Sequence, residues 1–76
     1  MLLKDIINID KEIQGGVPVF KNTRVPVQTL FDHLEESSLE DFLNGFPSVT
    51  RRQAEKLIEL AGKLVQTAPL EYEDTA

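Results

Sequence analysis

The sequence predicts a mainly α fold, a three-helix helix-turn-helix (homeodomain-like) bundle preceded by a short N-terminal β arm or hairpin. Three observations predict it. From Val27 to Val65, apolar side chains recur at helical spacing in three runs, broken by Ser37-Ser38 and by Gly45-Phe46-Pro47. Before Val27, Pro18 and Pro26 bracket an apolar, β-branched segment that cannot be helical, because proline fixes its own φ and pushes the preceding residue toward extended backbone. The chain has 76 residues, enough for one small domain with a modest core.

The elements follow in order. Ile6-Ile7-Asn8-Ile9 is a short strand candidate, Asp10-Lys11-Glu12 a turn, and Gly15-Gly16 a second break. Val19, Phe20 and Val25 favour a strand. Lys21-Asn22-Thr23-Arg24 forms the turn between them, with Asn22 the residue that best tolerates positive φ after glycine. The arm and hairpin therefore occupy residues 1–25. Short strands leave unpaired edges, which a second copy or a partner would cover; the plainer alternative is that the arm packs over the helices.

The helical bundle spans 26–67. Helix one is expected from Pro26 to Glu36, with Val27, Leu30, Phe31 and Leu34 on one face. Either Ser37 with Glu40 or Ser38 with Asp41 caps helix two, which runs from Leu39 to Asn44, with Gly45 at C′. In helix three, Thr50 with Gln53 reads as a capping box and Val49 with Ala54 as a staple. Ala54, Leu57, Ile58, Ala61, Leu64 and Val65 make its apolar face; Leu60 lies off the stripe and is expected either to extend a dimer surface or to sit alone on the surface. Pro69 ends it near Thr67. Residues 68–76 read as a flexible acidic tail.

Gly15-Gly16-Val17-Pro18-Val19-Phe20-Lys21-Asn22-Thr23-Arg24-Val25-Pro26-Val27 resembles the signature of the small prokaryotic family called domain of unknown function 433. Gly16, Pro18, Val19, Phe20, Thr23, Arg24, Val25 and Val27 match its pattern, and Asn22 stands where the family has a turn glycine. The resemblance continues through the acidic helix pair and Phe46-Pro47-Ser48-Val49-Thr50, covering Ile6 to Val65. Proteins resembling this family are often encoded beside small PIN-like nucleases and are proposed to be antitoxins. The resemblance thus implies two roles, sequestering a PIN-like toxin and binding operator DNA to repress the shared operon.

Composition narrows the chemistry. There is no cysteine and one histidine, so disulfides, thiolate catalysis and a structural zinc are not expected. No signal-peptide core or membrane span is seen, which points to the cytoplasm. The net charge is −5, which disfavours a generic nucleic-acid binder, but the charge is unevenly placed. Asp32, Glu35, Glu36, Glu40 and Asp41 form an acidic block, whereas Arg51, Arg52, Lys56 and Lys63 outnumber Glu55 and Glu59 on helix three.

The DNA-binding candidates are Thr50, Arg51, Arg52, Gln53, Lys56 and Lys21. In a helix-turn-helix the start of the second helix meets the major groove, where Arg reads guanine and Gln reads adenine. The competing reading is a solvated face laced by Arg51–Glu55, Arg52–Glu55 and Glu59–Lys63 pairs. Lys21 and Arg24 flank the turn and could add phosphate contacts, but for Arg24 a structural role is expected instead, its guanidinium bonding turn carbonyls or a helix acid; Thr23 is expected to be a turn or cap hydroxyl. His33 is expected to be an exposed helix histidine, and the acidic block a solvated face, its spacing matching no metal loop. In the tail, Leu70 and Tyr72 alternate with Glu71 and Glu73, a peptide suited to folding on a basic partner surface; the alternative is a solvated end. No cofactor and no enzymatic activity are expected. The functional expectation is an antitoxin-like DNA-binding regulator, homodimeric, that neutralises a PIN-like toxin; the alternative is a dimeric protein-interaction module that never touches DNA.

Overall fold

Pro18 and Pro26 delimit the first half of the fold, and the backbone between them closes on itself. Pro26 is extended (φ −61°, ψ 140°) and bridges antiparallel to Val19. The Phe20 amide donates to the Val25 carbonyl at 2.9 Å and the Thr23 amide to the Phe20 carbonyl at 3.0 Å. Asn22 sits at φ +66°, the left-handed backbone expected of it.

The computed structural model describes residues 2–67. After a 3-10 turn at Leu3–Asp5 come strand β1 (Ile7–Asn8), a turn at Gln14–Gly16, strand β2 (Val19–Phe20), and helices α1 (Val27–Leu34), α2 (Leu39–Gly45) and α3 (Arg51–Thr67). The fold is mainly helical, with three helices and one small antiparallel strand pair among the described residues. Ile7 lies opposite Phe20 and Asn8 opposite Val19, and the Lys21 amide donates to the Ile6 carbonyl at 2.7 Å. The arm therefore pairs with the proline-bracketed segment of its own chain. β1 is shorter than the expected strand, because Ile6 turns fully inward while Ile9 faces out. The chain can double back before β2 because Gly15 and Gly16 adopt φ of +69° and +92°.

Ile6, Val19, Phe20, Leu30 and Phe42 are fully buried, and Val49, Ala54 and Leu57 are buried beside them. Phe20 and Phe42 meet with ring centroids 6.1 Å apart, Phe42 and Phe46 at 5.0 Å, so one aromatic contact joins the strand pair to the helices. α1 packs on α2. Ser38 caps α2, its hydroxyl accepting from the Asp41 amide at 3.1 Å; of the two arrangements the sequence allows, this one forms. Ser37 instead bonds back to the His33 carbonyl through its amide (2.7 Å) and its hydroxyl (3.0 Å).

Four expectations are corrected. α1 is shorter at its end, stopping at Leu34, where the chain tightens into the Ser37 turn. Gly45 is not a left-handed C′ residue but the last residue of α2, followed by Phe46 at φ −129°, ψ 72°; Pro47 disfavours helical backbone at Phe46, so the helix stops without a left-handed glycine. Leu60 packs against the core from the edge of the stripe. Leu64 and Val65, expected on the buried face of α3, are 68% and 74% exposed. Helix length explains this: α3 is about 25 Å long, roughly twice α1 or α2. The two short helices cover only its first half.

No described helix is long and apolar enough to cross a membrane.

Candidate nucleic-acid interface

The start of α3 is built by a reciprocal cap. The Gln53 amide donates to Thr50 Oγ1 at 3.1 Å, and the Thr50 amide donates to Gln53 Oε1 at 2.9 Å. This is the capping box expected from Thr-x-x-Gln. It leaves Gln53 with only its Nε2, and that atom donates to the Lys21 carbonyl at 3.1 Å. Gln53 is therefore structural. It closes its own helix and ties the first turn of α3 to the β2–α1 turn, across 32 residues of sequence. Thr50 is likewise engaged, its hydroxyl also lying 3.3 Å from Gln53 Oε1.

The cations of α3 fall into two groups. Arg51 is clasped by Glu40 of α2 and by Glu55, whose carboxylate is 3.6 Å away. The hydrogen bond with Glu40, then its charge, raises the Arg51 pKa above its ordinary value. Lys56 and Lys63 both meet the Glu59 carboxylate at 3.3 Å. Those hydrogen bonds, first from Lys56 and then from Lys63, hold the Glu59 carboxyl below its ordinary range. Arg52 is exposed and belongs to neither group; the expected Arg52–Glu55 pair is not formed, Glu55 facing Arg51 instead.

The β2–α1 turn is organised differently. Thr23 is the turn hydroxyl expected, donating to the Phe20 carbonyl at 2.7 Å and accepting from the Val25 amide at 3.0 Å. The Arg24 carbonyl accepts from Gln14 Nε2 at 3.4 Å. The Arg24 guanidinium, expected to bond turn carbonyls or a helix acid, does neither among the described residues. Lys21 reaches the Lys4 carbonyl at 3.4 Å. Among the described residues, no carboxylate pairs with either cation.

His33 is corrected from exposed to half-buried. Its ring stands edge-on to Phe42 (5.6 Å) and Phe46 (5.4 Å), with Ser37 Oγ 3.4 Å from Nδ1. It is an aromatic packing residue at the rim of the core, reached because α1 crosses α2 on that face. Among the described residues, no three His, Asp or Glu side chains gather where they could hold a metal ion. Leu70, Glu71, Tyr72 and Glu73 lie outside the described residues.

Sequence reading finds the capping box, the Thr23 hydroxyl and the Arg51–Glu55 and Glu59–Lys63 pairs. It misses the Glu40–Arg51 and Lys21–Gln53 links, which join residues far apart in sequence and follow no local periodicity.

Compared with known families, residues 7–61 match the model of the family described as "Protein of unknown function (DUF433)". No curated protein and no solved structure matches the chain.

Proposed function

The chain belongs to the DUF433 family, and from that premise we propose that it is an antitoxin-like DNA-binding regulator, which represses its own operon and neutralises a PIN-like nuclease. α2, the connection 46–50 and α3 would act as a helix-turn-helix unit, with the start of α3 facing DNA. The observation that carries this reading is the Gln53–Lys21 hydrogen bond. It fastens the turn that carries Lys21 and Arg24 to the first turn of α3, which carries Arg52. Cations on two adjoining segments suit phosphates on either side of a groove. Thr50 and Gln53 then support the interface, and Arg51 and Lys56 are secondary contacts that must first leave a carboxylate. The toxin-binding half rests on the family resemblance and on the acidic tail, with a homodimer as the assembly that presents two such units.

A second reading is favoured by the ion pairs of α3. With Arg51, Lys56 and Lys63 engaged by Glu40, Glu55 and Glu59, and Val65 exposed at the far end of the helix, the same fold serves as a dimeric protein-interaction module without DNA.

The test is an anisotropy titration of a duplex taken from upstream of the coding region, at about 50 and about 200 mM salt. Under the regulator reading, affinity falls steeply with salt. Replacing Lys21, Arg24 and Arg52 by Ala then flattens that slope by about 0.9 for each phosphate no longer neutralised. Absence of salt-dependent binding leaves the interaction module. Light scattering with and without the neighbouring gene's product tests the toxin half: a stable complex, weakened by deletion of residues 69–76, is expected.

A further inference from the structure

Beside the β2–α1 turn the surface opens into a groove of about 680 Å³. Lys21, Asn22, Thr23 and Arg24 of the turn line it together with Asn8 and Ser48. Ile13 and Val25 supply its apolar part. Among the described residues, no Asp or Glu lines it. That is unexpected in a chain with 13 acids and 8 bases, and it contrasts with α3, where carboxylates stand against Arg51, Lys56 and Lys63.

The turn is rigid where it matters. The Lys21 amide and carbonyl are bonded to Ile6 and Gln53, the Thr23 amide and hydroxyl to Phe20, and the Arg24 carbonyl to Gln14. With those backbone groups and the Thr23 hydroxyl engaged, the side-chain polar heads left to meet a ligand are those of Arg24, Asn22, Asn8 and Ser48. Among the described residues none of these four side chains bonds within the chain. Lys21 spends one long contact on the Lys4 carbonyl and keeps its other ammonium protons.

We propose that this groove is a binding site for the phosphate of a nucleotide unit, with Arg24 and Lys21 as its anion ligands and Asn8, Asn22 and Ser48 as hydrogen-bonding neighbours. A guanidinium fork matches two phosphate oxygens, and an ammonium adds a point charge. The volume lies within the usual range for small-ligand sites and exceeds what a bare phosphate needs, so it accommodates an attached sugar or base, with Ile13 and Val25 as apolar contact. The phosphate has two sources, a free mononucleotide or the backbone of a bound nucleic acid. Only the second rests on the DNA-binding reading.

The test is amide chemical-shift mapping by NMR on the intact chain, titrated separately with inorganic phosphate, with AMP and with a short DNA duplex. Shifts concentrated at Asn8, Lys21–Val25 and Ser48 are expected, saturating in the millimolar range or below for AMP or the duplex. Arg24→Gln should weaken that binding about tenfold, Arg24→Lys less, and Ser48→Glu, which brings a carboxylate into the groove, should abolish it. None of these substitutions touches the buried core, and matching spectra elsewhere verify that the variants fold. Saturation by AMP supports a free nucleotide as the ligand even where the duplex fails, which would sink the DNA reading alone. Saturation by the duplex only assigns the groove to backbone phosphate. No shift at these residues with any of the three, or affinities unmoved by Arg24→Gln and Ser48→Glu, overturns the proposal.

Discussion

The β2–α1 turn and the first turns of α3 are both basic in the sequence, and the folded chain treats them in opposite ways. On α3, Arg51 lies between Glu40 and Glu55, and Lys56 and Lys63 share Glu59. In the turn, Lys21 and Arg24 face no carboxylate of the described residues. The difference comes from geometry. A helix repeats every 3.6 residues, so acids three or four positions from a cation can reach it, as Glu55 reaches Arg51 and Glu59 reaches Lys56 and Lys63. A tight turn has no such repeat. Its cations escape pairing because the strand and the connection that flank the groove place Asn8 and Ser48 nearby instead. A segment's net charge therefore says little about the field it presents, and the turn, with fewer cations, is the better anion site.

The largest way to break this comparison is to remove the core on which both regions lean. Phe42 touches Phe20 of β2, Phe46 and His33 and is fully buried. Phe42→Ala should cost about 3–5 kcal/mol, most of the stability of a domain this small. Urea titration followed by circular dichroism is expected to show a chain largely unfolded in water. A clear native baseline would mean that turn and helices stand independently.

Next in size is the turn itself. Thr23→Val keeps the shape but deletes a hydroxyl that bonds the Phe20 carbonyl and the Val25 amide. A loss of about 1–3 kcal/mol is expected, with amide exchange accelerated first at Lys21–Val25. Uniform acceleration across α3 would show that the turn is not a separate unit. Gln53→Ala follows, at about 1 kcal/mol for half a capping box plus the tether to Lys21. Its distinctive signature is a change in the Lys21–Arg24 resonances; a purely local effect at Thr50 would show that the cap and the turn are not coupled.

These cases also show what can be read beforehand. Thr23, Asn22 and the Thr50–Gln53 box are legible because each acts within four residues, where spacing and residue type decide the geometry. The strand pairing of Ile7–Asn8 with Val19–Phe20 is only half legible: the strand candidates stand out, but which edge meets which depends on a reversal at Gly15-Gly16 that periodicity does not describe. His33 and the exposed pair Leu64 and Val65 mislead for a shared reason. A pattern along one helix gives its apolar face, while burial also needs the lengths and crossing of the helices packed on it. Within the candidate site, the cations stand out and their availability does not, because Glu40 reaches Arg51 from another helix.

The smallest expected effect sharpens the comparison most. Glu59 is exposed and its carboxyl is held below its ordinary range by Lys56 and then Lys63. A depressed carboxylate contributes stability above its unfolded pKa and loses it as pH falls through the folded value. The melting temperature of Glu59→Gln should therefore lie slightly below the wild type near neutral pH, and the two should converge in acid, below the usual carboxylate range. Salt should shrink the gap as well, since the pairs are exposed. The same substitution removes the carboxylate that, among the described residues, Lys56 and Lys63 share, making the middle of α3 more basic by one charge. If α3 lies against DNA, Glu59→Gln should bind duplex more tightly than wild type at low salt. If only the turn meets phosphate, affinity stays where it was while Arg24→Gln still lowers it. One variant that makes the helix resemble the turn in charge thus separates a two-segment interface from one confined to Lys21 and Arg24.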